Sequence, residues 1–180
     1  MKRPLLIVTL GYPGSGKTYF SERFSKKHRF FHLNGDLVRM AMFRSPSYSR
    51  KEHTAVYRFA DNLARMLLGQ GVSVIYDANF NFRKSRKNAR RIANNTHAEY
   101  RLLWVKTAEE KAIQRLSKRA MLKSPKKKEL YRPINISNFR DLQSEIEPPT
   151  KSEAFIEIDG HKAFREQVKS FLKRYTETRT

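Results

Sequence analysis

Apolar residues fall along this chain in two rhythms. Short unbroken runs alternate with longer stretches in which they recur every three or four positions. Leu5-Leu6-Ile7-Val8-Thr9-Leu10 is a continuous apolar run, as expected of a strand buried on both faces of a parallel sheet. Phe20 and Phe24 then repeat at helical spacing and predict a helix from about Lys17 to His28. Phe30-Phe31-His32-Leu33 reads as a second strand ending at Asn34-Gly35-Asp36, and Leu37 to Met42 resumes a helical pattern until Ser45-Pro46-Ser47 breaks it. Val56, Phe59, Ala60, Leu63, Ala64 and Leu67 form one apolar stripe of a long helix, stopped at Gly69 and Gly71.

The alternation continues. Val72 to Tyr76 is a third strand, ending at Asp77-Ala78-Asn79, and Asn81 is placed to cap a helix from about Phe82 to Asn95. Tyr100 to Val105 is a fourth strand. Thr107-Ala108-Glu109-Glu110 has the spacing of a capping box, and the helix it opens turns Ala112, Ile113 and Leu116 inward. A helix from Pro133 to about Ile146, a fifth strand over Phe155 to Ile158, and a final helix with Phe164, Val168, Phe171, Leu172 and Tyr175 on one stripe complete the pattern. Strands alternating with helices predict an α/β fold of about five mostly parallel strands sandwiched by helices. In such sheets ligands collect at the carboxyl ends of the strands. Four polar clusters fall there: the segment after the first strand, Asp36, Asp77 with Asn79, and the start of the basic stretch beyond Lys118.

At 180 residues, with 39% hydrophobic content, the expectation is a single domain spanning 1–180. There is no cysteine, which excludes disulfides and thiolate metal sites. The first apolar run is six residues, too short for a signal segment or a membrane span, so a cytoplasmic, membrane-free protein is expected. Thirty-eight Lys and Arg against seventeen Asp and Glu leave a net charge of +21. An excess of this size points to a polyanionic partner, nucleic acid first, or else to a generally basic protein background.

The chemistry begins in the segment after the first strand. Gly11-Tyr12-Pro13-Gly14-Ser15-Gly16-Lys17-Thr18 matches G-x-x-x-x-G-K-[ST], the phosphate-binding P-loop, between a strand and a helix as the motif requires. Gly11, Pro13, Gly14, Ser15 and Gly16 are expected to wrap a nucleoside triphosphate, ATP or another NTP. Lys17 would reach its β- and γ-phosphates and the Thr18 hydroxyl would ligate Mg²⁺. Asp77, at a strand end, suits the metal directly or through its water shell; the alternative is a turn in which Asp77 and Asn79 bond the backbone. Asp36 and Arg39 form D-x-x-R. They read either as a base and an anion clamp for a phosphate acceptor, or as a helix cap and a solvated cation. Arg115 and Arg119 share a helix face and suit a lid over about 109–145, or a solvated basic face. Arg83, Arg86, Lys87, Arg90 and Arg91 form a basic stripe on the helix after Asp77. Lys123, Lys126, Lys127, Lys128 and Arg132 form a second cluster.

Taken in order, G-x-P-G-S-G-K-T, D-x-x-R, a strand ending D-x-N-x-N before a basic helix, and R-x-x-x-R resemble the kinase domain of phage-type polynucleotide 5′-hydroxyl kinases. The set is similar more broadly to zeta-toxin and small-molecule P-loop kinases. The resemblance implies a P-loop NTPase fold with a helical lid, and ATP and Mg²⁺ as cofactors. It makes Asp36 the general base for the hydroxyl and Arg39 the holder of the adjacent phosphate. Lys17 and Thr18 fall on the donor phosphates, with Arg119 as the lid arginine and Arg115 in support. Asp77 falls in the acceptor or metal shell, and Asn79 and Arg83 are further expected substrate-binding residues. The leading expectation is phosphorylation of a nucleic-acid 5′-hydroxyl. The alternatives are a kinase of a small hydroxylated molecule or a zeta-toxin-like kinase, and a nucleic-acid-stimulated ATPase.

Overall fold

The computed structural model describes residues 3–120, 136–153 and 155–177, with backbone only at 119, 120 and 136–138. Its centre is a five-stranded parallel sheet in the order β2-β3-β1-β4-β5, formed by β1 (Leu5–Leu10), β2 (Phe31–Asn34), β3 (Val74–Asp77), β4 (Glu99–Lys106) and β5 (Phe155–Asp159). All six residues of β1 are buried because the strand is central and covered on both faces. Its period of two divides the core. Leu6, Val8 and Leu10 point into one cluster, while Leu5 and Ile7 point into the other.

The first cluster lies beneath α3 (Arg50–Gly69) and α4 (Arg83–Asn95), which contribute Ala60, Ala64, Leu68, Ala89, Ile92 and Ala93. The second lies beneath α1 (Lys17–His28) and α7 (Phe164–Glu177), where Phe20, Phe24, Val168 and Phe171 meet. Phe20 and Phe24 stack with centroids 5.1 Å apart, and Phe171 meets the Phe24 ring edge-on at 5.3 Å. A small third cluster joins α5 (Glu109–Ala120) to α6 (Ile136–Ser144) through Ala112, Leu116 and Phe139, with Tyr12 against it. α2 (Gly35–Met42) follows β2 directly and packs beside α3.

Several expected details shift. Phe59 is 51% exposed, so the buried stripe of α3 runs instead through Val56, Ala60, Ala64 and Leu68. Small residues let α3 lie close on the sheet, and the large Phe59 is turned outward. Leu172 is likewise exposed on α7. Asn81 does not cap α4: Phe82 holds that position without a side-chain bond, and Glu147 Oε2 accepts from Arg83 N at 2.5 Å. Thr107 and Glu110 do not form a capping box. The Thr107 hydroxyl donates to Ser15 O at 2.8 Å, and Ala108 N donates to His161 Nε2 at 3.0 Å. α4 is not basic all along its stripe, because Arg86 is buried at 1% exposure. The Lys123–Arg132 cluster lies outside the described residues.

Candidate active site

The loop between β1 and α1 has the geometry its sequence demands. Gly14 and Gly16 take φ of +80° and +106°, in the left-handed region where side chains are strained. A Cβ on Gly14 would also sit 2.6 Å from Ala112 O, so α5 can pack directly on the loop. Gly16 caps α1 with no side-chain bond and the first turn of α1 carries no acid. The helix therefore turns its first-turn N–H groups and its positive end to the loop, a ready anion site.

Side chains hold the loop's carbonyls away from that anion. Lys17 Nζ donates to Gly11 O at 2.5 Å and Tyr12 O at 3.1 Å. Arg115 donates to Gly14 O at 3.2 Å and Ser15 O at 3.3 Å, and to Gly160 O at 2.8 Å. Thr107 adds its bond to Ser15 O. Gly160, just past β5, is pressed against this junction: a Cβ there would lie 2.1 Å from Thr107 Oγ1 and 2.3 Å from Ser15 O. Thr107 and Gly160 escaped the sequence reading because their partners are distant along the chain, Ser15 being 92 positions from Thr107. Arg115 thus lies on the P-loop, tying it to the end of β5. Arg119 lies in α5, with its side chain outside the description.

Asp77 ends β3, beside β1, and is 4% exposed. Its carboxylate accepts from Asn34 Nδ2 at 2.8 Å, meets His32 Nε2 at 3.1 Å, and has the Thr9 hydroxyl at 3.4 Å. Asn79 is exposed. Its N donates to Tyr57 Oη at 2.9 Å, and the Tyr57 hydroxyl donates to Asn79 O at 3.1 Å. Arg83 is exposed at the start of α4.

Asp36 sits in the first turn of α2, but it is not the cap. Asn34 is: its Oδ1 accepts from Asp36 N at 2.9 Å and Leu37 N at 3.0 Å. The same Asn34 side chain donates to Asp77, so one buried amide links the helix bearing Asp36 to the carboxylate beside the P-loop strand. The asparagine of Asn34-Gly35-Asp36 was a legible cap signal that the D-x-x-R pattern overshadowed. Arg39 is not solvated. It is 6% exposed, pairs with the Glu52 carboxylate on α3, and lies 4.9 Å from the Tyr48 ring centroid. Burial raises the Glu52 carboxyl, but bonds from Arg39 and Ser47 outweigh it and bring it down to about 2. The His53 ring lies tilted against Tyr57 with centroids 4.4 Å apart; burial and the Arg39 charge hold its imidazole below the ordinary value. Burial drives the Tyr57 phenol up. The Asp36, Arg39 and Asp61 charges also act on it.

These residues fit a nucleotide with Mg²⁺. Among the described residues no group of three or more His, Asp or Glu could cage a metal. Thr18 at the start of α1 and Asp77 beside β1 are what a phosphate-bound Mg²⁺ needs, because that ion keeps waters and takes few protein ligands. When bound, the ion would neutralise charge on the β- and γ-phosphates.

A family model described as an AAA domain (AAA_33) matches residues 6–131, and the chain belongs to this family. A protein of Aeropyrum pernix named "Probable adenylyl-sulfate kinase" is 25% identical over 166 residues, covering 89% of this chain and 87% of its own. The Mycobacterium tuberculosis APS kinase CysC, solved with AMPPNP and APS, superposes with a TM-score of 0.69 at 18% identity, over 98% of this chain and 99% of its own. A gluconokinase from Sinorhizobium meliloti superposes at 0.67 with 16% identity, over 99% and 95%. The fold is that of P-loop kinases, and the chain is an ATP-dependent kinase that works with Mg²⁺. Among the described residues no helix is long and apolar enough to cross a membrane.

Proposed function

We propose that this kinase transfers the γ-phosphoryl group of ATP to a hydroxyl of a small molecule. The observation that carries the reading is the Asn34 bridge, which fixes α2 and Asp36 beside the Asp77 end of β3, across from the donor loop. Asp36 takes the proton of the attacking hydroxyl; the acceptor oxygen bonds to the γ-phosphorus as its bond to the β-phosphate oxygen breaks and ADP leaves. Gly11 to Thr18 hold the donor phosphates, with Lys17 swinging from the loop carbonyls onto them. Arg115 keeps the loop shaped and Arg119 comes with the lid over about 109–145. Asp77 and Thr18 serve the metal, and Arg39, Asn79 and Arg83 line the acceptor side. The 1–180 chain acts as one kinase domain.

The polynucleotide acceptor expected from the motif order gives way to the small-molecule alternative. The relatives are named for adenylyl-sulfate and gluconate. Adenylyl-sulfate is the first acceptor to test and gluconate the second. With γ-labelled ATP, label is expected on a small molecule and absent from 5′-hydroxyl RNA and DNA. Asp36→Asn is expected to slow transfer about 10²–10⁴-fold. Label on the oligonucleotide alone, or ATP hydrolysis with no labelled acceptor, would reject the proposal.

A further inference from the structure

The charge of +21 exceeds what one triphosphate requires, and the fold does not spread it evenly. On α3, Arg50, Lys51, Arg58 and Arg65 are exposed, while the two acids of that helix are turned in: Glu52 is buried against Arg39, and Asp61 accepts from Tyr76 and Asn88. On α4, Arg83, Lys84, Lys87, Arg90 and Arg91 are exposed and there is no acid at all. The two helices lie side by side over one face of the sheet. That face therefore shows nine cations and no exposed carboxylate from either helix. Among the described residues none of the nine forms an ion pair. Arg90 and Arg91 donate only to neutral oxygens, of Ser152 and Asn88.

The opposite face is built differently. α1 carries exposed Glu22, paired with Lys26, and α7 carries exposed Glu166 and Glu177 among its lysines and arginines. A basic background would load both faces alike. Unlike that mixed surface, α3 and α4 expose no acid of their own, and the exposed Glu147 meets them at the Arg83 N–H.

It also projects apolar side chains among its cations. Phe59 is 51% exposed, Met66 69% and Phe82 45%, and each is next in sequence to an arginine: Arg58, Arg65 and Arg83. Phe59 and Met66 are seven residues apart, two helical turns, so they stand on one side of α3 about 10 Å from each other. Isolated rings between arginines suit base stacking beside phosphate contacts. A membrane surface would instead call for a continuous apolar stripe beneath the cations.

We infer that the outer face of α3 and α4 is a binding surface for single-stranded nucleic acid, which meets the proposed acceptor side only at Arg83. Six of its nine cations are arginine, whose fork matches phosphate oxygens. α3 spans 20 residues, about 30 Å, long enough to follow several nucleotides. The inference does not rest on the identity of the kinase's acceptor.

The test is fluorescence anisotropy of labelled 20-nucleotide single-stranded RNA and DNA with the full chain, titrated across salt. Variant one carries Arg58→Gln, Arg65→Gln, Lys87→Gln and Arg91→Gln. Variant two removes the same charge from the other face, with Arg23→Gln, Lys26→Gln, Arg165→Gln and Lys169→Gln. Variant one is expected to lose about tenfold or more in affinity and to flatten the log–log salt slope by about 3, from four lost contacts. Variant two is expected to stay within about threefold of the parent. Phe59→Ala is expected to weaken binding about fivefold or more at unchanged salt slope. All substitutions are at exposed positions, and thermal melts check that each variant folds. Equal losses in both variants, no oligonucleotide binding by the parent, or binding only to anionic phosphatidylserine vesicles would each overturn the inference.

Discussion

One buried ion pair ties α2 to α3 at the scale of single residues. Arg39 on α2 and Glu52 on α3 are both buried, and Ser47 supplies further bonds to the Glu52 carboxylate from its hydroxyl at 2.8 Å and its N–H at 2.6 Å. The Glu52 value of about 2 lies below the ordinary 4.5, so folding favours the ionised form. That stabilisation is fully present above about pH 4.5 and fades as pH falls toward 2. Glu52→Gln should therefore unfold at lower urea than the parent at pH 7, with the gap narrowing steadily between pH 4.5 and 3. A gap that stays constant with pH would show that Glu52 is not held ionised by its partners. The sequence displayed Arg39 as half of D-x-x-R, but nothing in it announced that a glutamate thirteen positions on would take the guanidinium. The Glu52 contact depends on how α2 turns back against α3, which spacing does not encode.

Among the elements, α4 shows most clearly what governs helix ends and helix faces here. Its N-terminus is capped by Glu147 and its inner face is pinned by Arg86, each through a partner more than sixty positions away. Arg86 grips Glu153 with Nε at 2.6 Å and Nη2 at 3.0 Å, and its Nη1 donates to Phe80 O at 3.0 Å and Asn81 O at 2.8 Å. One guanidinium thus joins α4, the loop after Asp77 and the segment before β5. Arg86→Ala should cost about 3–5 kcal/mol in urea unfolding, because it leaves Glu153 and two carbonyls without their donor. Arg86→Lys should recover little of this, since an ammonium cannot reproduce the planar fork. Lys87→Gln, one position on and exposed, should stay within about 0.5 kcal/mol of the parent. A loss of under about 1 kcal/mol for Arg86→Ala would sink the assignment. The strands and helix bodies were legible because apolar period follows from local sequence. The partners at the starts of α4 and α5 were not, because Glu147 and His161 act across tertiary contacts.

For the whole molecule, the strand order decides which parts can act together. With β1 between β3 and β4, the donor loop lies between the Asp77 end on one side and the α5 start on the other. The β2–α2 turn reaches the site only through β3, by way of Asn34. The proposed donor and acceptor halves therefore fall on different strands joined by a buried amide, and they should separate in a binding measurement. A non-hydrolysable ATP analogue with Mg²⁺ at about 100 times its Kd should stabilise the native state by about 2.7 kcal/mol. For a chain of this size that is a rise of about 5–10 °C in Tm. Lys17→Ala should abolish most of the rise if Lys17 holds the donor phosphates as proposed. Asp36→Asn should keep all of it while losing phosphoryl transfer, since its place is across Asp77 from the loop. If Asp36→Asn lost the thermal shift as fully as Lys17→Ala, Asp36 would belong to nucleotide binding, and the division of the site into donor and acceptor halves would fall.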